Sequence, residues 1–414
     1  MELLRGAIRQ YAWGSHTALA ELTGRPVPSP HPEAELWLGA HPGDPARLIT
    51  AEGERSLLDV LRDDGPDQLG RTVASRFGSE LPFLMKVIAA DQPLSLQAHP
   101  DAAQAVSGFE REDATGIAVT APHRNYRDRR HKPEIVVALE PFEALAGFRP
   151  LADTRRLLQA FGIDSLVWRA RLNMEPASKG LRALLRSWMT LPAELLSTTV
   201  SAAMRGAERY LTSGGVLFVP EAKTLLELGA RYPEDAGVLV ALLLNRITLQ
   251  PGEALFLPAG NLHAYLRGVA VEVMANSDNV LRGGLTSKHV DVAELEHILD
   301  FTPVEVSSLQ PAPLRDGARI RYSPPVDEFC VSVWKLDGAQ LDRDVPAIPA
   351  GGGPHILLCT QGSLTIDSAD CSVPLKRGEA AWIPDRDRAI SLRAHENAVV
   401  FAAGVPDARL RHAG

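Results

Sequence analysis

Residues 93–100 (PLSLQAHP) place polar side chains at every second position. Alternate side chains of a strand share a face, so this spacing predicts that Ser95, Gln97 and His99 point to the same side. A polar strand face belongs either to the protein surface or to the lining of a polar barrel interior. Surface strands usually carry Thr, Lys and Glu, so a site here and an ordinary amphipathic strand both remain open.

Two later segments carry further metal-ligating types. Glu134 follows a His-Lys-Pro sequence and opens the apolar run 135–139. Pro133 cannot donate a ladder hydrogen bond, so it belongs at the start of that strand. His263 follows a Pro-Ala-Gly turn and shares a strand face with Tyr265. A solvated loop end and a structural histidine are the alternatives for these two segments.

Together these segments supply two imidazole nitrogens and two side-chain oxygens, from His99, His263, Glu134 and Gln97. Imidazole and carboxylate suit zinc, and a site with room for water is catalytic rather than structural. Glutamine is an unusual zinc ligand. Because the four residues are far apart in sequence, their spacing alone does not establish the site.

Charged residues interrupt two apolar runs. Glu272 lies within 271–274, and Lys86 lies within 83–88. A buried charge is costly unless it is paired or coordinated. Arg282 and Lys288 flank a double glycine, which permits close backbone approach and suggests an anion clamp. A structural ion pair is the alternative for each charge, but several such interruptions together favour a polar cavity.

The segments around these residues show two patterns of apolar residues, one typical of strands and one typical of helices. Short apolar runs at 36–39, 83–90 and 135–139 predict strands, and the polar, arginine-rich segment 111–132 predicts a mobile loop. Three- and four-residue spacing then predicts amphipathic helices at 151–161, 179–191, 193–211 and 221–232. The strand pattern returns at residue 246.

Residues 249–258 and 375–384 share the pattern L-x-x-G-E-A followed by apolar, aromatic and apolar residues and proline. This repeat predicts two copies of one β unit, although a common hairpin turn would also explain it. Short strands separated by turns fit a jelly roll of the cupin type. We therefore predict a mainly β protein with two cupin-like barrels and a helical insert. The predicted domains are a catalytic cupin unit (1–150 and 246–300), a helical insert (151–245) and a C-terminal cupin-like unit (301–414).

Composition excludes some classes of partner. The chain has 414 residues and a formal net charge of −8, which argues against a broad nucleic-acid surface. The N-terminus does not resemble a secretory signal, and no apolar run approaches the length of a membrane span. Cys330, Cys359 and Cys371 fit no zinc or redox spacing. We therefore expect a cytoplasmic protein that binds neither nucleic acid nor membrane.

The chain resembles the type I mannose-6-phosphate isomerase family of zinc-dependent cupin enzymes. The matching segments occur in family order around the helical insert, whereas the last hundred residues match loosely. These segments are 10–15 (QYAWGS), 34–42 (AELWLGAHP), 81–86 (LPFLMK), 94–100 (LSLQAHP), 131–134 (HKPE) and the block 258–288.

The resemblance implies that Gln97, His99, Glu134 and His263 bind one zinc ion per chain. It also implies a pocket for a small sugar phosphate. The pocket residues that it implies are Trp13, Lys86, Ser95, Lys132, Tyr265, Glu272, Asp278, Arg282 and Lys288, with Lys86 and Ser95 assigned to phosphate and sugar. The family often has alanine at Gly283. No second metal is expected in the C-terminal unit, where the one candidate ligand, His355, is expected to have a surface role.

The implied reaction interconverts mannose 6-phosphate and fructose 6-phosphate through a cis-enediol. Zinc would polarise or orient the sugar oxygens, and Arg282 or Lys132 would stabilise the enediolate. The proton carrier needs a carboxylate whose pKa is raised by burial, which favours Glu272. Asp278 or a His–Lys pair could serve instead.

Two other functions are compatible with part of this pattern. A cupin oxygenase predicts iron and a histidine-rich ligand set, which the mixed Gln, His and Glu set argues against. A non-catalytic sugar-phosphate binding protein would not need the zinc ligands together with Lys86, Arg282 and Glu272. We expect the chain to be a monomer.

Overall fold

The computed structural model describes residues 1–163, 165–387 and 389–406. Strands make up 31% and helices 30% of the structure, so the prediction of β-sheets with helical parts is confirmed at this level. The first part of the chain contains strands β1 (Glu2–Arg5), β2 (Ala7–Arg9), β3 (Glu35–Leu38), β4 (Arg47–Thr50), β5 (Gly53–Ser56), β6 (Phe83–Ala90), β7 (Leu96–Ala98), β8 (Glu134–Ala138) and β9 (Phe142–Phe148), with helices α1 (Ala18–Leu22), α2 (Leu57–Phe77) and α3 (Ala102–Ala114).

Helices then follow one another. They are α4 (Leu151–Ala160), α5 (Leu166–Leu172), α6 (Ala177–Met189), α7 (Ala193–Thr212), α8 (Val219–Arg231) and α9 (Gly237–Val240), the last continued by a short 3-10 turn (Ala241–Leu243). The four helices predicted from three- and four-residue spacing are confirmed as α4, α6, α7 and α8. Their apolar faces form one core, to which α6 contributes the fully buried Leu184, Leu185 and Trp188.

Strands resume after the helices. They are β10 (Leu244–Leu249), β11 (Ala254–Leu257), β12 (His263–Ala275), β13 (Leu281–Gly284), β14 (Leu314–Asp316), β15 (Arg319–Tyr322), β16 (Cys330–Leu336), β17 (Val345–Ile348), β18 (His355–Gln361), β19 (Ser363–Asp367), β20 (Ser372–Lys376), β21 (Ala380–Ile383), β22 (Ile390–Ala394) and β23 (Ala398–Gly404). Helices α10 (Val292–Ile298) and α11 (Val306–Leu309) and a short 3-10 turn (Gly338–Gln340) lie among them.

The strands form three sheets. The first has the order β14-β15-β16-β23-β18-β21-β1-β4-β5, the second is built on β10-β9-β12-β6-β3-β2 with β7, β8, β11 and β13 attached, and the third has the order β17-β22-β19-β20. One apolar core contains side chains of the first and second sheets, and another contains side chains of the first and third. Because β1 pairs with β21, the N-terminal strand shares a sheet with C-terminal strands. The predicted division into domains remains a prediction.

The repeated sequence pattern has the same local structure in both places. Gly252 and Gly378 both have a positive φ, 88° and 84°, which a glycine adopts without strain. The carboxylates of Glu253 and Glu379 each accept a hydrogen bond from the backbone N–H three residues earlier, at 2.8 and 2.9 Å. The two turns are therefore built alike.

The expectation of a loop at 111–132 is confirmed for residues 115–132, which contain no helix or strand, but it is wrong for the beginning of the segment. Helix α3 occupies its beginning, up to Ala114. Further along, the buried guanidinium of Arg124 pairs with Glu112 and Asp113, each at a distance below 3 Å. The ring of Tyr126 is fully buried. Arginine-rich composition suggested solvation, but these ion pairs fold the segment onto α3.

His355, for which a surface role was expected, is half-buried rather than fully exposed. This residue opens β18, and its Nδ1 lies 3.0 Å from the carbonyl oxygen of Gly353. Burial lowers the pKa of its imidazole to about 4. The ring packs against the backbone of Gly404, where an added Cβ would lie 2.4 Å from the ring.

Within the described residues, none of the helices combines the length and apolar character needed to cross a membrane.

Candidate active site

Strand β12 is the centre of the site because it pairs with four other strands. Along its second half, Glu272 lies directly opposite Lys86 of β6. At its beginning, His263 lies opposite Gln97 of β7. On the other side of β7, Gln97 lies opposite Arg282 of β13. Antiparallel register therefore gathers residues that are far apart in sequence.

His99, Glu134 and His263 form a buried group whose potential ligand atoms all lie within 4.8 Å of one another. The Nε2 atom of each histidine lies 3.4 Å from an oxygen of Glu134. The Nδ1 atoms lie 2.7 Å from the carbonyl oxygen of Asn279 and 3.0 Å from that of Asn261. A backbone carbonyl can only accept, so each Nδ1 carries the proton and each Nε2 presents a lone pair.

These atoms fit a metal ion. Both Nε2 atoms and one oxygen of Glu134 are buried and have no hydrogen-bond partner among the described residues. Leaving buried polar atoms unsatisfied is costly, and so such atoms call for a further partner. Two imidazole nitrogens and a carboxylate are a donor set that zinc accepts. Gln97 is half-buried beside them, and its role as a fourth ligand remains a prediction.

Neighbouring groups keep the carboxylate of Glu134 ionised. Burial alone would raise the pKa of this carboxyl, but Lys132 and the two histidines hold it well below its usual range. The Nζ atom of Lys132 lies 3.0 Å from a Glu134 oxygen. Burial lowers the pKa of His99 to about 4, which keeps the imidazole neutral. A neutral imidazole and an ionised carboxylate are the forms that bind metals.

A second buried carboxylate, Glu272, is held by two hydrogen-bonding neighbours. The hydroxyl of Tyr265 donates to its Oε1 at 2.7 Å, and Nζ of Lys86 lies 3.2 Å from its Oε2. Burial raises the pKa of Glu272, and Lys86 opposes that rise. Lys86 also lies 3.9 Å from Glu35, and the two carboxylates outweigh burial and raise the pKa of the lysine.

The predicted site residues meet at one cavity of about 1080 Å³. Those that line it are Trp13, Lys86, Ser95, Gln97, Lys132, Glu134, Tyr265, Glu272, Asp278, Arg282 and Lys288. His99 and His263 lie against Glu134, which lines the cavity. The structure thus brings together residues that the sequence distributes over four segments and a short N-terminal motif.

The residues of this cavity that were not predicted from the sequence include His41, Glu35 and Arg127. The Nε2 atom of His41 lies 3.3 Å from a carboxylate oxygen of Asp278, and this hydrogen bond lowers the pKa of Asp278. His41 and Glu35 both lie in the segment 34–42, which was used only as a family motif. Their types could have suggested a site, but nothing local indicated their partners.

A sequence model described as the catalytic domain of type I phosphomannose isomerase matches residues 1–151. Mannose-6-phosphate isomerase of Escherichia coli (strain K12) is 39% identical over 397 residues, which cover 95% of this chain and 97% of the relative. The human mannose-6-phosphate isomerase is 32% identical over 413 residues, which cover 94% of each chain.

Solved structures agree with these sequence matches. A crystal structure described as zinc-bound, holo mannose 6-phosphate isomerase superimposes with a TM-score of 0.88 at 37% identity, covering 98% of this chain and 99% of that one. A mutant of phosphomannose isomerase from Salmonella typhimurium has a TM-score of 0.89 at 37% identity, covering 98% of this chain and all of that one.

Proposed function

The chain belongs to the type I phosphomannose isomerase family, and on this premise we propose that it interconverts mannose 6-phosphate and fructose 6-phosphate with one zinc ion. The observation that carries the proposal is the buried group of His99, Glu134 and His263, whose unpartnered nitrogens and oxygen lie beside the cavity that also holds Glu272. The chain thus combines a metal site and a buried proton acceptor in one place.

The metal is held by His99, His263 and Glu134, with Gln97 as the proposed fourth ligand. When bound, zinc supplies a Lewis acid that polarises or orients sugar oxygens. The carbonyl oxygens of Asn279 and Asn261 fix the two histidine rings, so the geometry of the ligands is set before the metal arrives. Lys132 keeps Glu134 ionised.

The proposed proton carrier is Glu272, which takes the proton from C2 of open-chain mannose 6-phosphate and returns it to C1 of the cis-enediol. Over the whole reaction O1 gains a proton and O2 loses one, so that the carbonyl moves from C1 to C2. Burial raises the pKa of Glu272, which suits a group that must both accept and release a proton. Asp278 is a weaker candidate because His41 lowers its pKa. A pair of His131 with Lys132 is less suited, since His131 contacts Glu328 at 2.8 Å.

The remaining cavity residues bind and orient the substrate in this proposal. Of the two cations expected to stabilise the negative charge of the enediolate, Arg282 and Lys132, we assign this role to Lys132. Tyr265 and Lys86 hold the carboxylate of Glu272, and Lys86 also faces the sugar. Ser95, Trp13 and Lys288 contact the sugar phosphate. Asp278 stays ionised beside His41 and orients sugar hydroxyls.

We also propose that the β-rich parts form two cupin units, 1–150 with 246–300 and 301–414, around a helical domain at 151–245. The matching turns at Gly252 and Gly378 support this duplication. The chain is proposed to act as a monomer in the cytoplasm on a small sugar phosphate, with no nucleic-acid or membrane partner.

The test is the interconversion of the two sugar phosphates by purified protein, before and after chelation and after zinc return. Activity that chelation removes and zinc restores supports both reaction and metal. One tightly bound zinc without turnover would contradict the substrate assignment. Oxygen consumption would favour an oxygenase, and binding of mannose 6-phosphate without turnover would favour a binding protein.

A further inference from the structure

The cations of the cavity fall into two groups, and the first is already neutralised. Lys86 lies 3.2 Å from Glu272, and Lys132 lies 3.0 Å from Glu134. A phosphate dianion placed at either lysine would meet the neighbouring carboxylate and be repelled by it. These two lysines are therefore suited to the reacting end of the sugar rather than to its phosphate.

The second group consists of Arg127, Arg282 and Lys288. All three line the cavity, and none has an ion pair among the residues that the structure describes. Burial and the charge of Arg127 lower the pKa of Arg282, while burial, Arg282 and Arg127 lower the pKa of Lys288. The three cations thus repel one another, and an anion between them would relieve that repulsion.

Acidic residues also line the cavity, but they have other contacts or lie in solvent. Asp278 contacts His41 at 3.3 Å, and the charge of Arg127 also lowers the pKa of Asp278, so this one carboxylate offsets part of the positive charge of the three cations. Asp235 accepts two backbone N–H groups, at 2.7 and 3.0 Å. Glu234 is exposed. The cation group therefore keeps its net positive charge.

On this basis we propose that Arg127 is a substrate-binding residue, and that it completes with Arg282 and Lys288 a subsite for the phosphate dianion of the sugar. The inference rests on the proposed function and deepens it. Arginine presents a planar fork of donors that matches phosphate oxygens, so two arginines and a lysine suit a dianion better than one cation.

The backbone of Arg127 is held in place by the fully buried side chain of Asn279. Its Oδ1 accepts the N–H of Arg127 at 2.7 Å, and its Nδ2 donates to the carbonyl of Arg130 at 2.8 Å. The carboxylate of Asp128 accepts the hydroxyl of Ser277 at 2.9 Å, which ties the segment down again. Only the side chain of Arg127 then has to be ordered when the substrate binds, which lowers the entropic cost.

The position of this subsite relative to the metal group and to Glu272 also suits a sugar phosphate. Arg282 lies opposite Gln97 in register, and Gln97 lies opposite His263 of the metal group. Arg282 on β13 is thus two strands away from His263 on β12, with Gln97 of β7 between them, whereas Lys86 and Glu272 are paired between β6 and β12. A sugar phosphate whose C1 and C2 face Glu272 would extend its C6 phosphate towards the cations.

The test compares Arg127→Gln with Arg129→Gln, which changes an exposed arginine of the same segment that pairs with Glu110 and does not line the cavity. We expect Arg127→Gln to raise the KM for mannose 6-phosphate by at least about tenfold, while kcat changes by less than about threefold, because a charge-assisted hydrogen bond is lost. The inhibition constant of inorganic phosphate should rise in parallel. Arg127→Lys should bring the KM and the inhibition constant part of the way back to their wild-type values. Arg129→Gln should leave the KM and the inhibition constant unchanged.

Titration calorimetry with inorganic phosphate separates this inference from the proposed function. Phosphate affinity that depends on Arg127 would support the subsite even if wild-type protein did not turn over mannose 6-phosphate. Normal turnover with KM and phosphate affinity unchanged in Arg127→Gln would overturn the inference and leave the isomerase assignment intact. Equal zinc content and melting temperature in both variants exclude a folding defect.

Discussion

The hydroxyl of Tyr265 donates a 2.7 Å hydrogen bond to Glu272, seven positions further along the same strand. An odd separation in a regular strand puts two side chains on opposite faces. Strand β12 is not regular, because its register against β9 shifts between Tyr265 and Arg267. The extra residue at this bulge turns Tyr265 to the face of Glu272. An irregularity of one residue thus assembles the proposed proton carrier with its hydrogen-bond donor.

Substitution of the proposed base, Glu272→Gln, should remove proton transfer while keeping the metal. Glutamine keeps the shape but cannot accept the proton, so we expect kcat to fall by at least about a hundredfold. Solvent-tritium exchange into the substrate should also disappear, and bound zinc measured by metal analysis should be unchanged. Tyr265→Phe is the comparison, since it keeps the carboxylate and should lower kcat less. Full tritium exchange in Glu272→Gln would exclude this residue as the base.

Loss of one histidine ligand should release the metal. In His263→Ala we expect less than one zinc per chain after dialysis and a melting temperature close to that of chelated wild-type protein, since a metal that binds only the folded state stabilises it. His355→Ala is the control, because His355 is a half-buried histidine on β18 that lies outside the metal group. Equal zinc loss in the two variants would contradict the assigned metal group.

Asn279 should act as a positioning residue for both the metal group and the segment of Arg127. Asn279→Ala removes buried hydrogen bonds to the backbone of Arg127 and Arg130, so we expect a loss of about 2–4 kcal/mol in the free energy of unfolding. KM should rise and chelators should remove zinc faster, because the Asn279 carbonyl also accepts from His99. Asn276→Ala, which loses a single 3.4 Å bond, should change zinc release little. A merely structural role would lower stability while leaving KM and zinc release unaltered.

His355 should make stability depend on pH. Its pKa is lowered by burial from 6.5 to about 4, so between these values the unfolded chain binds more protons than the folded one. The free energy of unfolding should therefore fall as the pH drops from about 6.5 to 4. Urea unfolding at several pH values should show a smaller slope for His355→Gln. The exposed control His31→Gln should retain the wild-type slope, and an unchanged slope in His355→Gln would refute the prediction.

The two matching turns should differ in their tolerance of alanine. Both Gly252→Ala and Gly378→Ala place a side chain at positive φ, which costs about 1–2 kcal/mol. A Cβ at position 378 would also lie 2.3 Å from the carbonyl oxygen of Leu22, whereas at 252 the nearest atom is a lysine Nζ at 3.9 Å. Chemical unfolding should therefore show a larger loss for Gly378→Ala. Equal losses would mean that the backbone near Leu22 yields at little cost.

The strands and helices were predictable because backbone geometry fixes how often a side chain returns to the same face of each element. The apolar run 83–90 became β6, and three- and four-residue spacing located α4, α6, α7 and α8. The segment 111–132 was predicted only in part, because its composition is polar while its folding onto α3 depends on the ion pairs of Arg124. Composition describes what a segment prefers in water, and it does not show which distant charges will meet it.

The sequence by itself determined the residue types of the site and the alternation that turns Ser95, Gln97 and His99 to one side. Tertiary structure alone decided that Tyr265 faces Glu272, that His41 meets Asp278, and that Arg127 enters the cavity. The physical reason is the distance along the chain over which each interaction acts. Side-chain alternation follows from the geometry of one strand, whereas strand register, bulges and ion pairs between distant segments arise only when the sheets pack.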